Sequence, residues 1–356
     1  MEFKELKVST QTIIANTNWL IDIEKLFNKL TITPYVYIPA PRKNPKIKVN
    51  NNKIDYNLNK LQSGSIIMLK YKGQTRGVDI KQMKKNYSHR VSKKPQEQSE
   101  KKPFRNCMTV VMKVRDKKLT FKLPSHGGVQ ICGCKTQEHA DLCIKYMWKH
   151  IHNINKTDKT IVVTLEKYPR FTTSKPDLNE ILKKQSEKSD NDEEISLYEY
   201  PPKILLKTVM INKDFKLGFT LDREKLNIFI NKYTECKSLL ETSVNTSVIV
   251  KIPSIQSNRP SLLEYVLTNN KWIKQYMVYS DYVKQLNNNE AKKEMKKRFH
   301  SFLMFHSGAI ILSSPYLSEM ELVYNSFIGY IRRNKEQVEE KLITDNNMPS
   351  IDTLFI

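Results

Sequence analysis

Glycine is scarce in this chain, nine residues in 356. None of the nine forms a G-x-G-x-x-G turn or a G-x-x-x-x-G-K-[ST] loop, so the backbone nests that cradle nucleotide phosphates are missing. There is no H-E-x-x-H pair and no convincing carboxylate pair either, and the expectation is a protein without catalysis, cofactor or small-molecule substrate. Cysteine is nearly as sparse. Five residues, odd in number and irregularly spaced, exclude a disulfide framework and read as reduced thiols. Cys132-Gly133-Cys134, with Cys143, His126 and His139 nearby, hints at zinc. The C-x-C spacing lacks the usual two-to-four-residue gap, however, and Cys143 falls on the apolar face of a helix, so no metal is expected. No stretch reaches the roughly 18 apolar residues of a membrane span. The N-terminal MEFKELKV has no apolar core of a signal peptide, and the sequence reads as soluble, intracellular and without a membrane partner.

Acidic residues are also short. Sixty Lys and Arg face 37 Asp and Glu, a formal charge of +23 that favours a polyanion such as DNA or RNA. Only 11 of the 60 are arginine, and the chain is rich in Asn and Ile, so an A+T-rich genome is a second source of the lysine excess. The charge is concentrated: Pro41 to Asn106 holds 18 basic and 4 acidic residues. That segment has one apolar run, Ser65 to Leu69, and its Ser88 to Pro103 portion reads as a solvated linker. A second basic run, Lys292, Lys293, Lys296, Lys297 and Arg298, precedes a predicted strand, where it either clamps a phosphate backbone or keeps an edge soluble.

What the sequence has in plenty is repetition. His126 to Ile151 aligns on His306 to Ile331 at a constant offset of 180 residues. Each copy opens with a short apolar run, Val129 to Cys132 or Ala309 to Leu312, followed by a helical pattern. Ala140, Cys143, Ile144, Met147, Trp148 and Ile151 share one helix face; Met320, Val323, Tyr324, Phe327, Ile328 and Ile331 do the same at identical steps. Upstream, Thr10 to Asn16 and Lys207 to Asn212 read as strands. The spacing predicts helices over Trp19 to Leu30, with Asp22 in its early turn, and Leu221 to Tyr233. Further strands are expected at Met108 to Val114 and Leu119 to Leu123, matched by Ser247 to Ile252 and Ser301 to Phe305.

The order β-α-β-β-β-α, run twice, predicts an α+β fold of two pseudo-symmetric repeats: a curved antiparallel sheet with helices on one face and the other face open. The expected domains are 1–156, carrying a basic insertion at about 34–103; 157–203, an extra strand and a charged hinge; 204–338, with an insertion at about 254–298; and a tail, 339–356. The second insertion holds enough apolar residues, Leu262 to Tyr282, for one or two helices.

Val110 to Ile144, and the stretch FLMFHSGAIILSSPYLSEMELVYNSF, resemble the first and second repeats of the TATA-box-binding protein family. KTVMIN at Lys207 and Phe104-Arg105-Asn106 resemble its divergent branch in large cytoplasmic DNA viruses. The resemblance implies a saddle whose concave sheet sits in the minor groove of promoter DNA, with inserted phenylalanines kinking the duplex and cations holding phosphates. It further implies a viral RNA polymerase and general initiation factors as partners, and a place in the host cytoplasm or virion, or the nucleus if the gene is cellular. The DNA-contacting set it implies is Lys113, Arg115, Lys122, Lys251, Leu303, Phe305, Ile311, Ser313 and Phe104, with Lys113 and Lys251 facing phosphate and Phe305 as a wedge. The match departs from the family at the other wedge positions, Cys107, Pro124 and the neighbourhood of Asn245. The groove-reading asparagines fall at Thr12 and Met210, and apolar sheet positions become Lys122, Gln130 and Asn212. A saddle that has lost promoter reading and acts as a protein scaffold in the transcription machinery is the alternative.

Overall fold

The computed structural model describes residues 2–34, 61–78, 106–173, 176–188, 197–240, 247–255 and 259–340. In chain order the strands are β1 (Val8–Thr17), β2 (Trp19–Ile21), β3 (Ile66–Tyr71), β4 (Gln74–Gly77), β5 (Cys107–Val114), β6 (Lys117–Pro124), β7 (Gly128–Cys134), β8 (Val162–Thr164), β9 (Lys203–Lys216), β10 (Lys237–Leu240), β11 (Ser247–Pro253), β12 (Leu262–Thr268), β13 (Lys271–Met277), β14 (Phe299–Phe305) and β15 (Ala309–Ser314). The helices are α1 (Ile23–Lys29), α2 (Gln137–Asn155), α3 (Leu178–Lys188), α4 (Arg223–Tyr233), α5 (Tyr279–Gln285), α6 (Asn288–Glu294), α7 (Leu317–Arg333) and α8 (Lys335–Val338). The fold is α+β, built on antiparallel sheet and helices. Among the described residues no helix is long and apolar enough to cross a membrane.

Two compact units divide the chain: a larger one, Thr10–Val209 with Asn258–Lys296, and a smaller one, Met1–Ser9 with Met210–Ser257 and Lys297–Ile356. In the larger unit the strand order is β9-β1-β7-β6-β5-β3-β4, and β12 pairs with the N-terminal part of β9 while β13 pairs with β12. Alternate residues of a strand point to opposite faces, so Ile13, Ala15, Val110, Met112, Phe121, Val129 and Ile131 line one face and are buried under α1 and α2. The predicted apolar stripe of α2, Ala140 to Ile151, is buried there. In the smaller unit the order is β10-β11-β14-β15-β9. Val248, Val250, Phe302, Met304, Ile310 and Leu312 form its core with Leu226 and Ile230 of α4 and Tyr324, Phe327, Ile328 and Ile331 of α7. Each such large side chain taken out of water is worth about 1.5–3 kcal/mol, and the helices are held by this burial.

Where the sequence pattern gives three strands between the two helices, the larger unit has five, β3 to β7, and the smaller has four in its sheet, β10, β11, β14 and β15. The added strands are β3, paired with β5, the short β4, paired with β3, and β10, paired with β11. The latter has only four residues, too few for a period to register.

Trp19–Ile21 is a strand paired with β8, and the predicted helix starts four residues later, after Asp22. All three of its residues are buried, and a short run buried on both faces carries no period to tell strand from helix. The insertion after β11 is a hairpin with two short helices, where helices alone were expected. Asn269 and Asn270 make its turn at φ 50° and 59°, the left-handed pair that a two-residue hairpin requires.

The constant offset of 180 breaks inside the strand. Val129 and Ile131 occupy core positions that Ile310 and Leu312 hold in the other unit, 181 residues on, whereas Cys134 answers Ser314, 180 on. A bulge between Gln11 and Thr12, opposite Cys132 to Cys134, absorbs the extra residue, with Gly133 at φ 86°.

Candidate nucleic-acid interface

The side of the sheet that turns away from the helices is where a flat polymer can lie. In the smaller unit, cross-strand pairing sorts that face into rows. One row is apolar: Leu239, Ile249, Leu303 and Ile311 stand side by side on β10, β11, β14 and β15, and Asp214 ends it on β9. The next is polar: Lys237, Lys251, Ser301, Ser313 and Asn212. Phe305, opposite Ser247, and Phe299, opposite Pro253, stand at the two ends of β14.

Lys237 and Lys251 are exposed and directly opposed, an arrangement that repels until an anion sits between them. The Ser9 hydroxyl, with its one proton shared between Asp214 Oδ1 (2.9 Å) and the Asn212 carbonyl (3.1 Å), ties down the acid that ends the apolar row.

The smaller unit brings together Lys251, Leu303, Phe305, Ile311 and Ser313 of the set implied by the sequence. Phe305 pairs with Ser247, and the second wedge position of this repeat, near Asn245, lies outside the described residues. Phe299, Leu239, Ile249 and Lys237 were missed. The period-two run Phe299, Ser301, Leu303, Phe305 was the available signal for the first of them.

The larger unit treats its predicted residues differently. Lys122 stands between Gln130 and Thr109 on the helix-free face, near exposed Thr120 and Cys132. Cys107 and Pro124, at the family's wedge positions, are cross-strand partners at the end of β5 and β6. Lys113, expected to face phosphate, is 4% exposed. The β5 backbone there is bracketed by Gly64 and Ser65, which bond its carbonyl and N–H and leave little room around the side chain. Arg115 is in the β5–β6 turn at φ 51°, ion-paired to Glu138 of α2 and so drawn to the helix side. Phe121, the aromatic of β6, is in the core at 1% exposure, and Phe104 is outside the described residues.

The face is also partly occupied, contrary to the expectation that it stays open. Leu206 and Leu263 point into the helix-side core, while their neighbours Leu205 and Leu262 point the other way and are buried under Tyr168, Phe171 and Tyr282. Arg170 reaches from the same turn to Asn16 Oδ1 (3.5 Å) and lies against Gly128. The insertion holds it there: Glu290 pairs with Arg170 (3.5 Å), and Asn287 donates to the carbonyls of Arg170 and Thr172.

Burial pushes the Cys134 thiol up to about 12 and raises Cys143 as well, so both stay protonated and are poor metal ligands. Among the described residues no group of three or more His, Cys, Asp or Glu could hold a metal ion.

The chain has a viral relative. It is 25% identical over 248 residues to "Uncharacterized protein 335L" of Invertebrate iridescent virus 6, a match covering 66% of this chain and 63% of that one. The match thus spans less than two thirds of the relative's length. Among solved structures it is similar to Methanococcus jannaschii TBP, at 12% identity and a TM-score of 0.37, over 92% of this chain and 99% of the other. No protein-family model matches.

Proposed function

We propose that this protein is a TATA-box-binding-protein-like initiation factor of a viral transcription apparatus, a non-enzymatic protein that holds duplex DNA against the helix-free face of its sheet and helps to recruit a viral RNA polymerase. The observation that carries the reading is the face of the smaller unit. Opposed Lys237 and Lys251, the hydroxyls of Ser301 and Ser313 and the Asn212 amide lie beside the apolar row from Leu239 to Ile311, with Phe305 and Phe299 at its margins. A minor groove offers few hydrogen-bonding differences and is read by shape, so flat apolar contact flanked by cations suits it. The iridovirus relative supports the viral setting, and the sequence resemblance supports the family.

In this reading Lys251, Leu303, Phe305, Ile311 and Ser313 are contact residues of the smaller unit, joined by Lys237, Ile249 and Phe299; on the larger unit, taken by itself, Lys122 is the candidate contact. Lys113 and Arg115 leave the contact set because of their burial and ion pairing. The test is fluorescence anisotropy of labelled A·T-rich and G·C-rich duplexes titrated with the full chain across a salt series. Affinity falling linearly with log salt, with a preference for the A·T-rich duplex, is the expected result. Weak, salt-insensitive binding, together with tight association with polymerase, would favour the scaffold reading instead.

A further inference from the structure

Among the described residues the hairpin of the insertion ends in an edge that no further strand covers. β12 is bonded on both sides, to β9 and to β13, whereas among the described residues β13 pairs with β12 alone. Pairing runs without a bulge from Leu262 opposite Met277 to Thr268 opposite Lys271, so the far side of β13 presents a straight seven-residue row of backbone donors and acceptors. Natural edges are usually blunted by proline, a bulge, shortness or charge. This one has no proline and no bulge; its charge is confined to Lys271 and Lys274, and beside them it exposes Ile273 (52%) and Tyr276 (64%), with Val278 (55%) just beyond.

The strand is also held rigidly. Trp272 and Leu267 pack on the main core of the larger unit, and Met277 packs with Leu262 on the opposite face. The Gln275 amide donates to Glu264, whose other carboxylate oxygen accepts from the Tyr168 hydroxyl. That buried network consumes the acid of β12 opposite Gln275, and the charged residues of β13 itself are Lys271 and Lys274, both exposed.

We propose that the outer edge of β13 is a docking edge for an extended, acidic segment of a partner polypeptide, which adds as a further strand with carboxylates beside Lys271 and Lys274 and apolar side chains on Ile273 and Tyr276. Main-chain bonds supply affinity in this mode and alternate side chains supply selectivity. A second copy of this chain is disfavoured as the occupant. Antiparallel self-pairing of all seven residues about their centre sets Lys274 against Lys274, and a slide of three residues sets it against Lys271, like charges directly opposed. The inference stands on the hairpin alone and is independent of the nucleic-acid reading.

The experiment uses the full chain and the fluorescent heptapeptide Thr-Val-Thr-Glu-Val-Thr-Glu, whose antiparallel register sets glutamates opposite Lys274 and Lys271 and valines opposite Tyr276 and Ile273, with Thr-Val-Thr-Lys-Val-Thr-Lys as control. Anisotropy should show binding of the acidic probe, and hydrogen exchange should show new amide protection within 271–277. The variant Lys271→Glu with Lys274→Glu should bind the acidic probe about tenfold more weakly and gain affinity for the basic one, because two cross-strand attractions become repulsions. Three results overturn the proposal: equal binding of both probes by the parent chain, protection of 271–277 by self-association without peptide, or the same protection from a DNA duplex.

Discussion

His300, fully buried, lies with Nε2 3.0 Å from Oε2 of Glu319. A carboxylate only accepts, which places a ring proton on Nε2 and leaves Nδ1 2.9 Å from the Ser314 hydroxyl. The same Oε2 accepts from the Ser254 hydroxyl (2.6 Å) and the Ile255 N–H (3.2 Å), so this pair fastens the exit of β11 to the first turn of α7.

Both members weaken the fold on acidification. Burial holds His300 below its ordinary 6.5 in spite of the neighbouring carboxylate, so the unfolded chain takes up that proton first. Its contribution is present above pH 6.5 and is lost as pH falls below it. Burial works against the charge of Glu319, but the hydrogen bonds from Ser254, His300 and Ile255 outweigh it and hold the carboxyl below 4.5. That contribution is present above 4.5 and disappears as pH falls through the lowered value. The melting temperature should therefore fall from pH 6.5 downward, and His300→Gln should lessen the upper part of the fall, leaving the share of His152, which burial also holds below 6.5. A melting temperature flat from neutrality to about pH 5 contradicts this.

Replacing Phe305 by alanine should weaken duplex binding by about 1–3 kcal/mol, the range for an aromatic stacked on a base. The side chain is half-buried at a strand end, so the fold should tolerate the change. Unchanged affinity would remove Phe305 from the interface.

Lys251 and Lys113 separate surface cations from buried ones. Lys251→Gln should lower the salt slope of duplex binding by about one, the value for one phosphate contact. Lys113→Gln should leave the slope as it is, because that side chain is 4% exposed. Equal effects from both would mean that Lys113 reaches the polymer after all.

Asp22 and Asp222 occupy the same station in the two units. Asp22 accepts from the Lys25 N–H (2.9 Å) and Asp222 from the Lys225 N–H (3.0 Å), each at the N-cap of its helix. Either changed to alanine should cost about 1 kcal/mol, read from denaturant midpoints at constant m-value. A loss confined to one unit would show that the caps are not equivalent.

The strands and long helices were legible because one face of each is buried and the other is not, which writes period two or 3.6 into the sequence. Met320 to Ile331 of α7 and Ala140 to Ile151 of α2 are the plainest cases. Trp19–Ile21 escaped because it is buried on both faces, β10 because it is short, and the hairpin because its aromatic and β-branched residues fit more than one period. Of the candidate interface, Leu303, Phe305, Ile311 and Ser313 were readable from β-strand alternation plus resemblance. Lys237 was not, since nothing local says that it stands opposite Lys251.

The sequence by itself determined the class of fold, the recurrence of one strand-and-helix pattern and the excess of positive charge, because these follow from local periodicity and composition. Which lysines meet solvent, which strands end in a free edge, and how much of the sheet face the insertion occupies were decided only by the tertiary structure. Each depends on pairing between residues far apart in the chain, Lys237 with Lys251 across a hairpin and Arg170 with Glu290 across 120 positions, and no local pattern encodes which distant partner will be chosen.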